Sequence, residues 1–209
     1  DRNRDSPMGN LVTDAMRWKA DLLDDGQLNG TVEVAFTNPG GLRADIQATG
    51  DLPRLITWGD TFNVMPFGNT LTLLDLTGAQ IQELLDQAAT LHKGILQSSG
   101  ITWSWYNDTG DSHPNEWGAY WIRVGGEPLD SKRLYRVVTN NFVADGRDGW
   151  ITFAAGLNRR DYPYADMQEA VNEYIGLISP IEAEDVPGGR ATRLEAIYRI
   201  RLPVLEKRR

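Results

Sequence analysis

The 209-residue chain contains no cysteine and only two histidines, His92 and His113. Without thiols it can form no disulfide, no thiolate metal site and no cysteine nucleophile. Two histidines cannot by themselves furnish a multi-histidine metal centre. Positive charge is also scarce: 21 Lys plus Arg stand against 29 Asp plus Glu, a net charge of −8. That balance argues against a broad phosphate-tracking surface, so no nucleic-acid partner is expected, while a small anion held by one or two arginines is still allowed. No apolar run approaches the ~18 residues of a membrane-spanning helix. The chain opens at Asp1 without a methionine, so some upstream segment is expected to have been processed or removed, and any signal peptide or N-terminal domain there is not visible in this sequence.

What is present is ordinary for a globular protein, with 41% hydrophobic and 24% charged residues. Ser6-Pro7 reads as an N-cap followed by a first helical position. Met8, Leu11, Val12, Ala15, Met16, Leu22 and Leu23 then recur at helical spacing, which predicts a helix over residues 7–23. The β-branched run at 31–36 predicts a buried strand that empties into Asn38-Pro39-Gly40-Gly41. Thr57…Asp60 and Thr77…Gln80 have capping-box spacing, the first ahead of a short helix ending near Pro66 and the second ahead of Ile81, Leu84, Leu85, Ala88 and Ala89. Further strands are expected over 70–76, at Ile101, Trp103 and Trp105, over 120–124, and over 134–141 beyond a Gly125-Gly126 turn. An exposed excursion is expected over 107–118, and Asp166 caps a last helix through Ile178. Helices and strands without strict alternation predict an α/β (α+β) fold, a single domain with one mixed, largely antiparallel sheet and flanking helices. Residues 1–190 form that domain, and 191–209 a basic tail.

Three glycine-containing loops carry residues suited to a nucleoside or nucleotide. In Asn38-Pro-Gly-Gly-Leu-Arg43 the glycines permit close backbone approach, and Arg43 offers a planar fork for phosphate or ribose oxygens; the alternative is a tight turn whose arginine pairs with a surface carboxylate. Phe67 in Pro66-Phe67-Gly68-Asn69 reads either as core or as a platform for a ring. Asp148, between Arg147 and Gly149, reads either as a solvated turn residue or as a hydroxyl acceptor. His92 and His113 read as surface residues. Of the seven tryptophans, Trp103, Trp105, Trp117 and Trp121 read as sheet packing, while Trp150 follows the Asp148 loop and is expected to border a ligand.

Taken in register, residues 6–15, 38–43, 66–71, 96–100 and 141–150 resemble the C-terminal domain of the 5′-nucleotidase and UDP-sugar hydrolase family, from about Arg4 to Arg190. The resemblance implies that a base lies between Phe67 and Phe142, that Arg43 holds the ribose or phosphate side and Asp148 the ribose hydroxyls, and that Asn38 and Asn69 contact the base or its surroundings. Arg4 stands near the position of a further substrate-binding arginine. Pro39 and Arg147 depart from the family, which usually has glycine at both places. It further implies a partner N-terminal metallophosphatase domain with two divalent metal ions, whose motifs are not in this chain, and a secreted, periplasmic or cell-surface parent. On that basis the chain contains no catalytic or metal-binding residue and no cofactor of its own, and positions a nucleotide without cleaving it. Two alternatives stay open: a structural or binding module that has lost nucleotide recognition, and a related phosphoesterase acting on UDP-sugars, cyclic nucleotides or a sulfur compound.

Overall fold

A computed structural model describes residues 2–25, 31–47, 53–107, 117–182 and 185–194. The centre is a mixed sheet of β1 (Val34–Thr37), β2 (Thr70–Thr77), β3 (Gln97–Ser99), β7 (Leu134–Asn140) and β8 (Leu157–Asp166), in the order β3-β1-β7-β2-β8. Its two faces follow from the period of a strand: Val34, Phe36, Leu74, Leu76 and Val137 point one way, and Ala35, Leu71, Leu73 and Val138 the other. The second set packs on α1 (Pro7–Asp25) and α6 (Met167–Ile178) through Val12, Met16, Ala170 and Val171. The first set packs on α3 (Gly78–Ala89) and on a second sheet, β6-β5-β4-β9, made of β4 (Ile101–Asn107), β5 (Trp117–Val124), β6 (Glu127–Pro128) and β9 (Ala191–Arg193).

The mixture of helices and mixed sheets is the expected one, but the strands divide between two sheets instead of joining one. The switch is at Gly100, between β3 and β4, where φ is +77° and a β-carbon would collide with the Glu33 carbonyl. Only glycine turns the chain there.

The expected caps are formed. Ser6 Oγ accepts the Gly9 N–H at 3.0 Å, and both capping boxes close, Thr57 with Asp60 ahead of α2 (Trp58–Val64) and Thr77 with Gln80 ahead of α3. Asp166 accepts the N–H groups of Gln168 and Glu169 at the start of α6. Several boundaries shift: α1 runs two residues past Leu23, β1 spans 34–37 instead of 31–36, and β7 stops at Asn140 because Asn141 begins α4 (Asn141–Ala144), with α5 (Ile151–Ala154) one turn further on. Gly125 and Gly126, at φ +58° and +89°, close the β5–β6 hairpin directly instead of leading to β7.

Strand β8 lacks a sequence signal because it is an exposed edge, rich in polar residues and containing Pro163, with register shifts against β2. Residues 191–193, assigned to the basic tail by sequence, extend the fold as β9, paired in parallel with β4. The rest of the tail from residue 195 and most of the expected excursion, including His113, lie outside the described residues.

Candidate functional site

Sheet topology brings the three loops to one edge. β1 and β7 are parallel, with Ala35 opposite Val138, so both end at the same side. β2 is antiparallel to β7, with Leu71 opposite Asn140, so it starts where they end. The loop after β1 (38–43), the loop before β2 (66–69) and the segment after β7 (141–149), which opens with the single turn of α4, therefore converge. The Thr70 N–H donates to Asn141 Oδ1 at 3.1 Å, which ties the Phe67 loop to the Phe142 loop. Both rings are solvent-exposed, Phe67 by 55% and Phe142 by 39%.

Asn38 is 5% exposed and sits in a directed chain of hydrogen bonds. The Val143 N–H donates to Asn140 Oδ1 (2.9 Å), Asn140 Nδ2 donates to Asn38 Oδ1 (3.3 Å), and Asn38 Nδ2 donates to Asp148 Oδ2 (3.4 Å). Because Asn140 donates to the Asn38 oxygen, it is the Asn38 amino group that faces the carboxylate. Asp148 itself is in the left-handed region, φ +57°, between Gly146 and Gly149 at +74° and +85°. Its second oxygen lies 3.9 Å from Lys93 Nζ.

Arg43 is exposed, with its guanidinium carbon 5.8 Å from the Phe67 ring centre and a hydrogen bond from Nη1 to the Gly40 carbonyl (3.3 Å). Its N–H donates to the Val64 carbonyl at 2.9 Å, so the end of α2 sets both the Arg43 loop and the path into Phe67. At the other end of α2 the Thr57 N–H and hydroxyl, with Arg54, hold the Asp60 carboxyl down at about 2. Asn69 is half-buried and its carbonyl accepts the Met167 N–H (2.8 Å). Phe67, Gly68 and Asn69 line a small hollow with Gly41, Met65 and residues 166–168.

Arg4 lies elsewhere, in a groove with Asn3, Leu91, Trp105, Ala191 and Arg193. Arg2 comes closer to the loops: its Nη1 is 3.8 Å from the point a β-carbon on Gly40 would occupy, beside Asn38 Nδ2. Trp150 does not border the site. It is fully buried in the core that also holds Phe36 and Phe153. Trp103 and Trp105 are also core, whereas Trp117 and Trp121 are 45% and 57% exposed instead of packed. His92 is exposed, as expected.

Two of the sequence stretches serve packing. Gly9 leaves room for the Gln97 side chain, whose Oε1 accepts the Ser6 N–H (2.9 Å). Ser99 Oγ donates to Asp14 (2.6 Å), which is also bridged by Arg190. Among the described residues no group of three or more His, Asp or Glu side chains is gathered as a metal site, so the donor set here does not fit a dinuclear centre.

The family model for the 5′-nucleotidase C-terminal domain matches residues 1–155. The chain belongs to that family. Strand β8, α6 and β9 lie beyond the matched stretch and pack on it, β8 against β2, α6 against α1 and β9 against β4. A cell wall protein of Listeria monocytogenes, Lmo0130, is 36% identical over 155 residues, 72% of this chain and 19% of its own length. The trifunctional nucleotide phosphoesterase protein YfkN of Bacillus subtilis is 34% identical over 80% of this chain and 11% of its own length. The crystal structure of a 5′-nucleotidase precursor from Thermus thermophilus superposes with a TM-score of 0.74 at 33% identity, covering 93% of this chain and 36% of that one. This 5′-nucleotidase C-terminal domain thus spans less than a fifth of the two curated relatives.

Lys93 and Arg2 were not expected at this site, and Asn140 was expected only as part of the third loop, with no role of its own. Asn140 carries a signal, since an asparagine ending a strand just before a helix is a natural N-cap. Lys93 and Arg2 carry none, because each reaches the site only through the packing of the segment around Gly94.

Proposed function

We propose that this domain recognises a nucleotide or nucleoside for a 5′-nucleotidase-type phosphoesterase, exported in the parent protein, whose two metal ions belong to a separate N-terminal metallophosphatase domain. What supports the reading is that the segments carrying the exposed rings of Phe67 and Phe142 are tied together by the Thr70–Asn141 hydrogen bond, with Arg43 over Phe67. A flat base has two apolar faces and stacks on such rings. Arg43 supplies a bidentate donor for the anionic side of the ligand, and Asn38 aims Asp148 as an acceptor for sugar hydroxyls. The 5′-nucleotidase and nucleotide phosphoesterase named among the relatives support the ligand class. This chain's part in the reaction is positioning, which converts binding into a productive orientation for hydrolysis performed elsewhere in the parent.

Titration of the 209-residue chain with AMP and with adenosine tests this. Saturable binding of both is expected, AMP the tighter through Arg43. No binding of either at millimolar ligand would overturn the reading and favour a module without nucleotide recognition.

A further inference from the structure

We propose that Lys93, on the connection between α3 and β3, is a positioning residue for Asp148 and makes the site select ligands with free sugar hydroxyls. The inference deepens the nucleotide reading above and rests on it.

The Asp148 carboxylate is held from two sides, by the Asn38 amino group at 3.4 Å on one oxygen and by Lys93 Nζ at 3.9 Å on the other. Asn38 cannot turn its amide over without losing its bond from Asn140. Lys93 is set from behind by its neighbour. Gly94, at φ +86°, packs so tightly on the Arg2 carbonyl that a β-carbon would collide there, and the Pro39 ring stands 3.0 Å from the same point. The Ile95 N–H then donates to that Arg2 carbonyl at 2.8 Å. A second tie runs alongside, from Gln87 Nε2 at the end of α3 to the Gly149 carbonyl at 2.9 Å. The α3–β3 connection and the end of α3 therefore buttress the Asp148 turn at two adjacent residues.

The pair is open to water, with side chains 40% and 38% exposed, so it contributes little to folding. Its effect appears when a ligand covers it. A sugar hydroxyl hydrogen-bonded to Asp148 takes the place of water on the anion, which is unfavourable unless a counter-charge stays beside it. Lys93 is that counter-charge, and Asn38 is neutral. Removing the ammonium should therefore penalise only those ligands whose hydroxyls engage the carboxylate.

The test compares adenosine with 2′,3′-dideoxyadenosine on the wild-type chain, Lys93→Met and Lys93→Arg. Lys93→Met should weaken adenosine by about three- to tenfold, leave dideoxyadenosine unchanged, and be largely rescued by Lys93→Arg. Equal losses for both nucleosides, no loss for adenosine, or an arginine variant no better than methionine would overturn the role of Lys93 while leaving nucleotide binding intact. A wild-type chain that binds neither nucleoside would remove the nucleotide reading and this inference together.

Discussion

Side chains that are neighbours in sequence separate into exposed and core positions, and substitution should sort them. Phe67 and Phe142 are exposed, so Phe67→Ala or Phe142→Ala should weaken nucleoside binding by roughly 5- to 150-fold, the equivalent of about 1–3 kcal/mol of lost stacking, with little change in melting temperature. Trp150→Ala is the opposite case: it empties a fully buried site and should destabilise the fold by about 3–5 kcal/mol. Thermal melts beside adenosine titrations separate the two behaviours. A large drop in melting temperature for the phenylalanine variants, with affinity per folded molecule unchanged, would return those rings to a packing role. Arg43 should act through its planar fork, so Arg43→Lys is expected to weaken AMP binding nearly as much as Arg43→Ala. Wild-type affinity in the lysine variant would show that charge alone suffices.

Among the elements, α2 is short and exposed at its start, and its capping box is what begins it. The Asp60 carboxyl is lowered to about 2 by the N–H and hydroxyl of Thr57, with Arg54 adding to the effect. A carboxyl whose folded pKa lies below its unfolded value of about 3.9 stabilises the fold above that value and loses the contribution as pH falls towards the folded one. Asp60→Asn should therefore lower the melting temperature at pH 7, and the gap from wild type should narrow steadily as pH falls through about 4 towards about 2. A gap as wide at about pH 2 as at pH 7 would mean the side chain acts through something other than its charge. Because the Val64 carbonyl anchors the Arg43 N–H, the same variant should also weaken nucleotide binding at neutral pH.

At the scale of the whole molecule, the central sheet leaves the loops at one end of its strands open while its two faces are buried, one on α1 and α6, the other on α3 and the second sheet. The loops at that end can then vary in chemistry without exposing the core. With no cluster of three or more metal-ligating side chains among the described residues, the chain alone is expected to leave AMP intact in the presence of Mn²⁺, Zn²⁺ or Ca²⁺. Phosphate release by a rigorously purified sample, dependent on metal and abolished by Arg43→Ala, would contradict this.

The amino-acid sequence by itself determined the features governed by neighbours a few residues apart. The Ser6-Pro7 helix start, the Thr57 and Thr77 capping boxes and the alternating strand β4 are of this kind, because caps and periodicity are local interactions. The turns holding Asn38, Arg43, Phe67, Asn69 and Asp148 were legible too, since glycine, asparagine and aspartate mark turns by their own backbone preferences, whereas the short helix α4 that carries Phe142 was not. Tertiary structure decided the rest. Strand β8 exists because β2 offers it a partner, not because its polar residues favour a strand. The division into two sheets hangs on Gly100 passing the Glu33 carbonyl, the burial of Trp150 on the core around it, and the meeting of Lys93 with Asp148 on Gly94 packing against Arg2. Each is a contact between segments distant in sequence, whose cost of closure only the assembled core can offset, so no local pattern announces it.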